Sequence, residues 1–268
     1  MRYKKGDVVQ QDVWQNIWEH QDVSLQGDLA LIEYELQTRR WSQVLNTLEN
    51  HKASFPNPNS PAVIELGSGI GDASLILAKK LHASITLIDN NDLVLSKARK
   101  RFDTHGFLAK AINFDFLKDL PEEFCKQYDI SISLGVAEHF QYDERIEVFR
   151  KHFTVLRPGG ITVISVPNRL SWPYRYWKWN LERQEKWIYG FEKPFSPREL
   201  HQFAKAVGFV NISISGSSFY EALYKYLLVD RPRLRNILMS ILGGQIRKSS
   251  VVDSQWGYSL TLIAQRPK

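Results

Sequence analysis

The residues with the clearest chemical potential in this chain lie in one short run. Val63-Ile64-Glu65-Leu66 has the pattern of a buried strand interrupted by one acid, and it leads directly into Gly67-Ser68-Gly69-Ile70-Gly71-Asp72 and a helix-like run, Ala73 to Leu81. Glycines at a strand-to-helix turn permit positive φ and let a ligand approach the backbone, while the helix N-terminus offers unpaired N–H groups. The pattern therefore predicts a nucleotide cradle. Its spacing separates cofactor classes: a nicotinamide or flavin fingerprint, G-x-G-x-x-G/A, needs Gly or Ala at position 72, where Asp72 stands.

Such a cradle needs a parallel sheet to hold it, and the rest of the chain reads as one. Strand signals fall at 62–66, 84–88, 107–112, 129–134, 160–166, 209–215 and 257–265, with helices at 72–81, 91–103, 143–155 and 196–207. This alternation predicts an α/β fold, a doubly wound, Rossmann-like, mostly parallel seven-stranded sheet with helices on both faces. Residues 1–60 read as an N-terminal helical cap, with helical spacing over 11–20 and 28–50 and a breaker-rich linker at Phe55-Pro56-Asn57-Pro58-Asn59-Ser60-Pro61. Residues 61–268 form the core, with two segments outside the alternation, 168–195 and 217–255, read as substrate-side insertions.

In open α/β sheets ligands bind beyond the carboxyl ends of the strands. The second strand signal, Ser84-Ile85-Thr86-Leu87-Ile88, ends in Asp89, an acid roughly 20 residues past the glycine turn, where a carboxylate grips a ribose diol. The third ends at Ile112-Asn113-Phe114-Asp115-Phe116. The fourth reads Tyr128-Asp129-Ile130-Ser131-Ile132-Ser133-Leu134-Gly135-Val136-Ala137-Glu138-His139-Phe140, and Leu156-Arg157-Pro158-Gly159-Gly160 precedes the fifth. With the E-x-G-x-G-x-G pattern from Glu65 to Gly71, this series over roughly residues 60–215 resembles the class I S-adenosylmethionine-dependent methyltransferases.

The resemblance implies S-adenosyl-L-methionine as cofactor and S-adenosyl-L-homocysteine as product. It implies a cofactor set of Glu65, Gly67, Ser68, Gly69, Gly71, Asp89, Asn90, Asp115, Phe116 and Leu134. Glu65 would orient the cofactor's amino group directly or through water, and Asp115 would accept from the adenine amine beside Phe116. His139 is the candidate catalytic base, since neutral imidazole suits an acceptor hydroxyl or amine; the alternative is that Glu138-His139 only shapes the pocket. His201 reads as structural. Each motif residue also has an ordinary reading as a helix cap, a turn or a surface acid, and it is their joint order that carries the resemblance.

Acceptor classes narrow on the same residues. Amino-methylating DNA enzymes carry an Asp/Asn-Pro-Pro-aromatic tetrad after the fourth strand, where this chain has Gly135-Val136-Ala137-Glu138. A covalent pyrimidine mechanism needs a cysteine at the site, and Cys125 precedes that strand. A Glu-x-x-Glu-His metal site lacks its first Glu at Gly135, so no metal is expected. The predicted activity is methyl transfer to an O or N of a small-molecule acceptor, amphipathic or anionic; the alternatives are an RNA methyltransferase and a non-catalytic S-adenosylmethionine-binding protein.

Residues 168–195 hold Trp172, Tyr174, Arg175, Tyr176 and Trp177 as candidate acceptor contacts, against the alternative of a helical hairpin packed on the core. Trp14 and Trp18 either close over the cofactor or pack in the core. Residues 217–250 combine apolar helical spacing with Arg231, Arg233 and Arg235, as a lipid-contacting segment, lid or partner surface would. A net charge of +6 favours anionic company, yet without an appended RNA-binding module nucleic acid is not the expected partner. One cysteine among 268 residues suits a reducing compartment, and with no signal core or 20-residue apolar run the expected location is the cytoplasm. Oligomeric state is not legible at this level.

Overall fold

A computed structural model describes residues 10–20, 24–141, 143–226, 232–242 and 251–268. Its centre is a seven-stranded sheet of β1 (Ala62–Leu66), β2 (Ser84–Asp89), β3 (Ala109–Asn113), β4 (Tyr128–Leu134), β5 (Leu156–Pro167), β6 (Val210–Ser217) and β7 (Ser259–Gln265), in the order β3-β2-β1-β4-β5-β7-β6. All pairs through β5 are parallel, and β7 runs antiparallel to both β5 and β6. The strand order reverses between β1 and β4, the place where this architecture opens a crevice for a ligand.

The described helices are α1 (Gln10–Glu19), α2 (Leu25–Leu36), α3 (Arg39–His51), α4 (Asp72–Leu81), α5 (Asp92–Thr104), α6 (Asp143–Val155), α7 (Trp172–Arg183), α8 (Pro197–Val207), α9 (Phe219–Tyr226), α10 (Pro232–Leu242) and α11 (Val251–Trp256). The helical spacing over 28–50 resolves into two helices, because Thr38 is extended and its side chain accepts the Trp41 amide as an N-cap. The turn-like stretch Leu156–Gly160 is taken into β5. Inside the insertions lie α7 and α9–α11; of the 217–250 segment, residues 227–231 and 243–250 lie outside the described residues.

Strand alternation divides the apolar side chains between two cores. Val63, Leu87, Ile130 and Val163 pack with Trp41, Val44 and Leu48 of α3, Leu75 and Leu77 of α4 and Phe102 of α5. Ile64, Leu66, Ile164 and Val166 face the opposite way, against Val148 and Phe149 of α6 and Leu200 of α8. The N-terminal helices thus share a core with the sheet.

An ion cluster fastens them further. Arg101, 1% exposed on α5, lies 2.8 Å from Asp28 of α2 and 2.6 Å from Asp72 at the start of α4, and His105 Nε2 is 3.0 Å from Asp28. Removing one member leaves a buried charge without its partner, which costs about 3 kcal/mol or more. We therefore expect Arg101→Met to lower stability by about 3 kcal/mol in urea unfolding; an unchanged midpoint and slope would show that α2 holds without the ion cluster.

Candidate active site

The turn after β1 holds Gly67, Gly69 and Gly71, each at positive φ. At Gly71, with φ +77, a Cβ would sit 2.8 Å from the Phe102 ring, so glycine here serves the close approach of α5. At Gly69, with φ +52, a Cβ would sit 2.9 Å from the ring of Trp18. Helix α1 is laid over this turn: the Gln15 amide oxygen accepts from Asn91 Nδ2 at 2.7 Å, Lys97 Nζ donates to the Trp18 carbonyl, and Trp14 stacks on Trp18. Trp18 therefore packs on the glycine turn, with Trp14 stacked behind it.

Two carboxylates lock the turn. Glu65, buried in β1, accepts the Ser74 amide at 3.0 Å, satisfying an orphan donor in the first turn of α4. Burial pushes its carboxyl up to about 8 despite that bond. Asp89, at the tip of β2, accepts from Gly69 N at 2.9 Å and from Asn91 N at 3.2 Å. Burial raises its carboxyl above the usual range and the backbone donors oppose that rise. Asn91 in turn is the N-cap of α5, its Oδ1 accepting from Val94 N. Ser68 donates its amide to the Ile88 carbonyl.

At the tip of β3, Asp115 accepts the Leu117 amide at 3.1 Å, and the Phe116 ring turns into the core edge-on to Phe140. Asn90 is exposed beside Asp89, and Leu134 is half-buried at the tip of β4. Asp129 lies at the far end of the same strand, where it accepts from Ala62 N and Arg157 at 2.8 Å each. It fastens the amino ends of the strands, away from the cleft.

Beyond β4 lies a second group. Gly135 donates to the Ser165 carbonyl, and the following turn carries Glu138 and His139. His139 Nδ1 lies 2.8 Å from the Phe191 carbonyl, so Nδ1 carries the proton, and Trp14 meets the ring edge-on at 4.9 Å. Burial lowers His139 to about 4, leaving it neutral near pH 7. Glu138 is 2% exposed, and burial together with the charge of Glu192 raises its carboxyl well above the ordinary value. Glu192 receives the Tyr174 hydroxyl, and burial pushes it up to about 8.

Of the aromatic insertion, Tyr174 reaches this group and is fully buried against Tyr258, while Trp177 beside it packs edge-on to Trp187, over which Lys178 Nζ sits at 3.8 Å. Trp172, Arg175 and Tyr176 lie on the exposed side of the same helix. His201 is exposed on α8. Glu192, Gln15 and Lys97 escaped sequence reasoning, since no motif marks them and only tertiary contact joins them to the cleft.

The open sheet with its antiparallel β7, and the carboxylates aligned along its tips, define a Rossmann-like methyltransferase fold. Residues 63–160 match the family model described as a methyltransferase domain. The carboxy-S-adenosyl-L-methionine synthase of Desulfotalea psychrophila is 32% identical over 108 residues, 39% of this chain and 43% of that protein. The uncharacterized methyltransferase YodH of Bacillus subtilis is 25% identical over 154 residues, 58% of this chain and 61% of its own. The chain spans about half the length of these curated relatives. Among solved structures, the Haemonchus contortus phosphoethanolamine N-methyltransferase 2 in complex with S-adenosyl-L-methionine superposes with a TM-score of 0.61 at 17% identity, over 98% of this chain and 61% of that one. A methyltransferase of Thermotoga maritima gives 0.58 at 14% identity, over 96% and 99%. Residues 63–160 are thus similar to a methyltransferase domain, and the chain shares its overall fold with S-adenosylmethionine-dependent methyltransferases.

The strand tips suit S-adenosylmethionine, the ligand held by one of those neighbours. A carboxylate has about four acceptor sites; the Gly69 and Asn91 amides leave half-exposed Asp89 with acceptor capacity for a vicinal diol. Asp89→Ala is expected to weaken S-adenosylhomocysteine binding at least about tenfold in titration calorimetry, as loss of a charge-assisted pair does. Unchanged affinity in a folded variant would refute the ribose role.

Proposed function

We propose that this protein binds S-adenosylmethionine across the tips of β1, β2 and β3 and transfers its methyl group to an oxygen or nitrogen of a small-molecule acceptor. The observation that carries this reading is the Gly69–Asp89 hydrogen bond, which sets the glycine turn and an acceptor-competent carboxylate side by side at the switch point. When bound, the cofactor supplies an electrophilic methyl on a sulfonium. The chain's contribution is to hold and align, with backbone groups of Gly67, Ser68 and Gly69 at the amino-acid end, Asp89 and Asn90 at the ribose, and Asp115 at the base. One Glu65 oxygen pins the turn through the Ser74 amide, which leaves the other to orient the cofactor's amino group directly or through water. The likeness in fold to a phosphoethanolamine N-methyltransferase supports a small acceptor.

The acceptor would lie between His139, Tyr174 and Trp177, where His139 is neutral near pH 7 and burial shifts Glu138 toward its uncharged form, which favours an apolar or anionic molecule. His139, with its proton held at Nδ1 by the Phe191 carbonyl, is the base we assign to the acceptor proton. Because a base must be unprotonated to work, activity should fall only as pH drops toward about 4.

Transfer of labelled methyl from S-adenosylmethionine across fractionated small-molecule extracts tests the activity; no transfer to any fraction by protein that binds the cofactor would favour a binding protein. With an acceptor in hand, His139→Ala is expected to keep cofactor affinity and lose about 10²-fold or more in turnover. Full activity in His139→Ala, or an acidic limb near 8 that Glu192→Gln abolishes, would move the role to Glu192.

A further inference from the structure

Helix α7 divides two environments. Tyr174 and Trp177 point to the acceptor side, whereas Trp172, Tyr176 and Trp179 stand 46%, 50% and 52% exposed. The spacing of those three, i, i+4 and i+7, aligns them as one stripe on the outer face. Leu170 before the helix and Ile188 after it are also exposed. Large aromatics are costly to leave in water, and three on one helical face form a patch rather than scattered surface residues.

The patch has a neighbour. Helix α9 packs against both α7 and α10, and the Trp172 ring meets Phe219 of α9 edge-on. On α10, Leu234, Ile237 and Ile241 are exposed at 41%, 56% and 73%, again at i, i+3 and i+7. Among the described residues, these two helices of the insertions carry the exposed apolar stripes that follow β5 in the chain.

Charge selects the occupant. Between positions 168 and 186 stand five basic residues, Arg169, Arg175, Lys178, Arg183 and Lys186, against two acids, Glu182 and Glu185. Lys178 is turned inward and paired with Glu182 at 3.2 Å, whereas Arg175, Arg183 and Lys186 are exposed, the Arg183 guanidinium 5.6 Å from the Trp179 ring. Arg233 is exposed beside the α10 stripe. Tryptophan and tyrosine settle at the headgroup level of a bilayer, and arginine beside them meets lipid phosphate. A second protein would satisfy the apolar stripes alone; the interleaved cations and the overall charge of +6 fit an anionic surface.

We propose that the outer face of α7, continued by α10, docks the protein peripherally on anionic phospholipid bilayers. No helix among the described residues is long and apolar enough to cross a membrane, so the contact is at the interface. The inference concerns binding and stands whether or not the methyl-transfer reading holds.

Co-sedimentation of the full chain with vesicles of phosphatidylcholine alone and of phosphatidylcholine mixed with phosphatidylglycerol tests it. Binding to the mixed vesicles is expected to exceed binding to the neutral ones by about tenfold or more and to weaken as salt is raised. The variant Trp172→Ser/Tyr176→Ser/Trp179→Ser, substituted at exposed positions, should keep its circular dichroism and lose that binding; Arg175→Gln/Arg183→Gln should reduce it by about tenfold. Equal binding to both vesicle types, no binding to either, or undiminished binding by the folded triple variant would overturn the proposal. So would a wild-type dimer in light scattering that the triple variant abolishes without any vesicle binding, which would assign the stripe to self-association.

Discussion

The site depends on the hydrogen bond from the Gly69 amide to the Asp89 carboxylate, because it fixes one strand tip relative to the turn that follows its neighbour. β1 and β2 are parallel with Leu66 opposite Ile88, so each chain leaves the sheet at the same level. Without a link across that gap the glycine turn would have no defined position, since glycine removes the side-chain contacts that usually fix a backbone. Asp89 supplies a side-chain link beside the backbone one from the Ser68 amide to the Ile88 carbonyl, and is itself oriented by the Asn91 amide. The same Asn91 caps α5 and holds Gln15 of α1, so one cluster sets the turn, the helix behind it and the helix above it.

Charge burial explains why this end of the sheet remains ordered. Glu65 would be costly beneath the turn were it not bonded to the Ser74 amide at the positive end of α4, and burial still favours its neutral form. Arg101 performs the analogous task one layer out, where it pairs with both Asp28 and Asp72 and ties the N-terminal helices to the core. Beyond β4 the pattern differs: His139 and Glu138 are both driven toward their uncharged forms. The two halves of the cleft are thus chemically distinct, hydrogen-bonding along β1 to β3 and largely uncharged and aromatic beyond β4.

Much of the fold was legible because its signals are local. Helices 72–81 and 143–155 are found as read, and the seven strands agree within a few residues except where β5 reaches back to Leu156. The break at Thr38 was not, since an N-cap inside an apolar-periodic stretch alters the pattern little. For the site, the strand-tip residues could be placed because topology puts every parallel tip on one edge. The roles within the aromatic insertion could not: Tyr174 and Tyr176 are two positions apart and face opposite environments, a consequence of the helical phase of α7, which composition does not reveal. Glu192 becomes visible only when the Tyr174 hydroxyl and the Lys193 amide, which bonds Glu138, bring its segment to the cleft.

The central claim is that these strand tips form an adenosyl site. Its most direct test is a crystal structure of the protein grown with S-adenosylhomocysteine. The account predicts ligand density with the ribose hydroxyls within hydrogen-bond distance of Asp89 and the amino-acid end against the Gly67–Gly69 turn, beneath Trp18. Ligand bound elsewhere, or a cleft that excludes it while accepting a nicotinamide or flavin nucleotide, would contradict it.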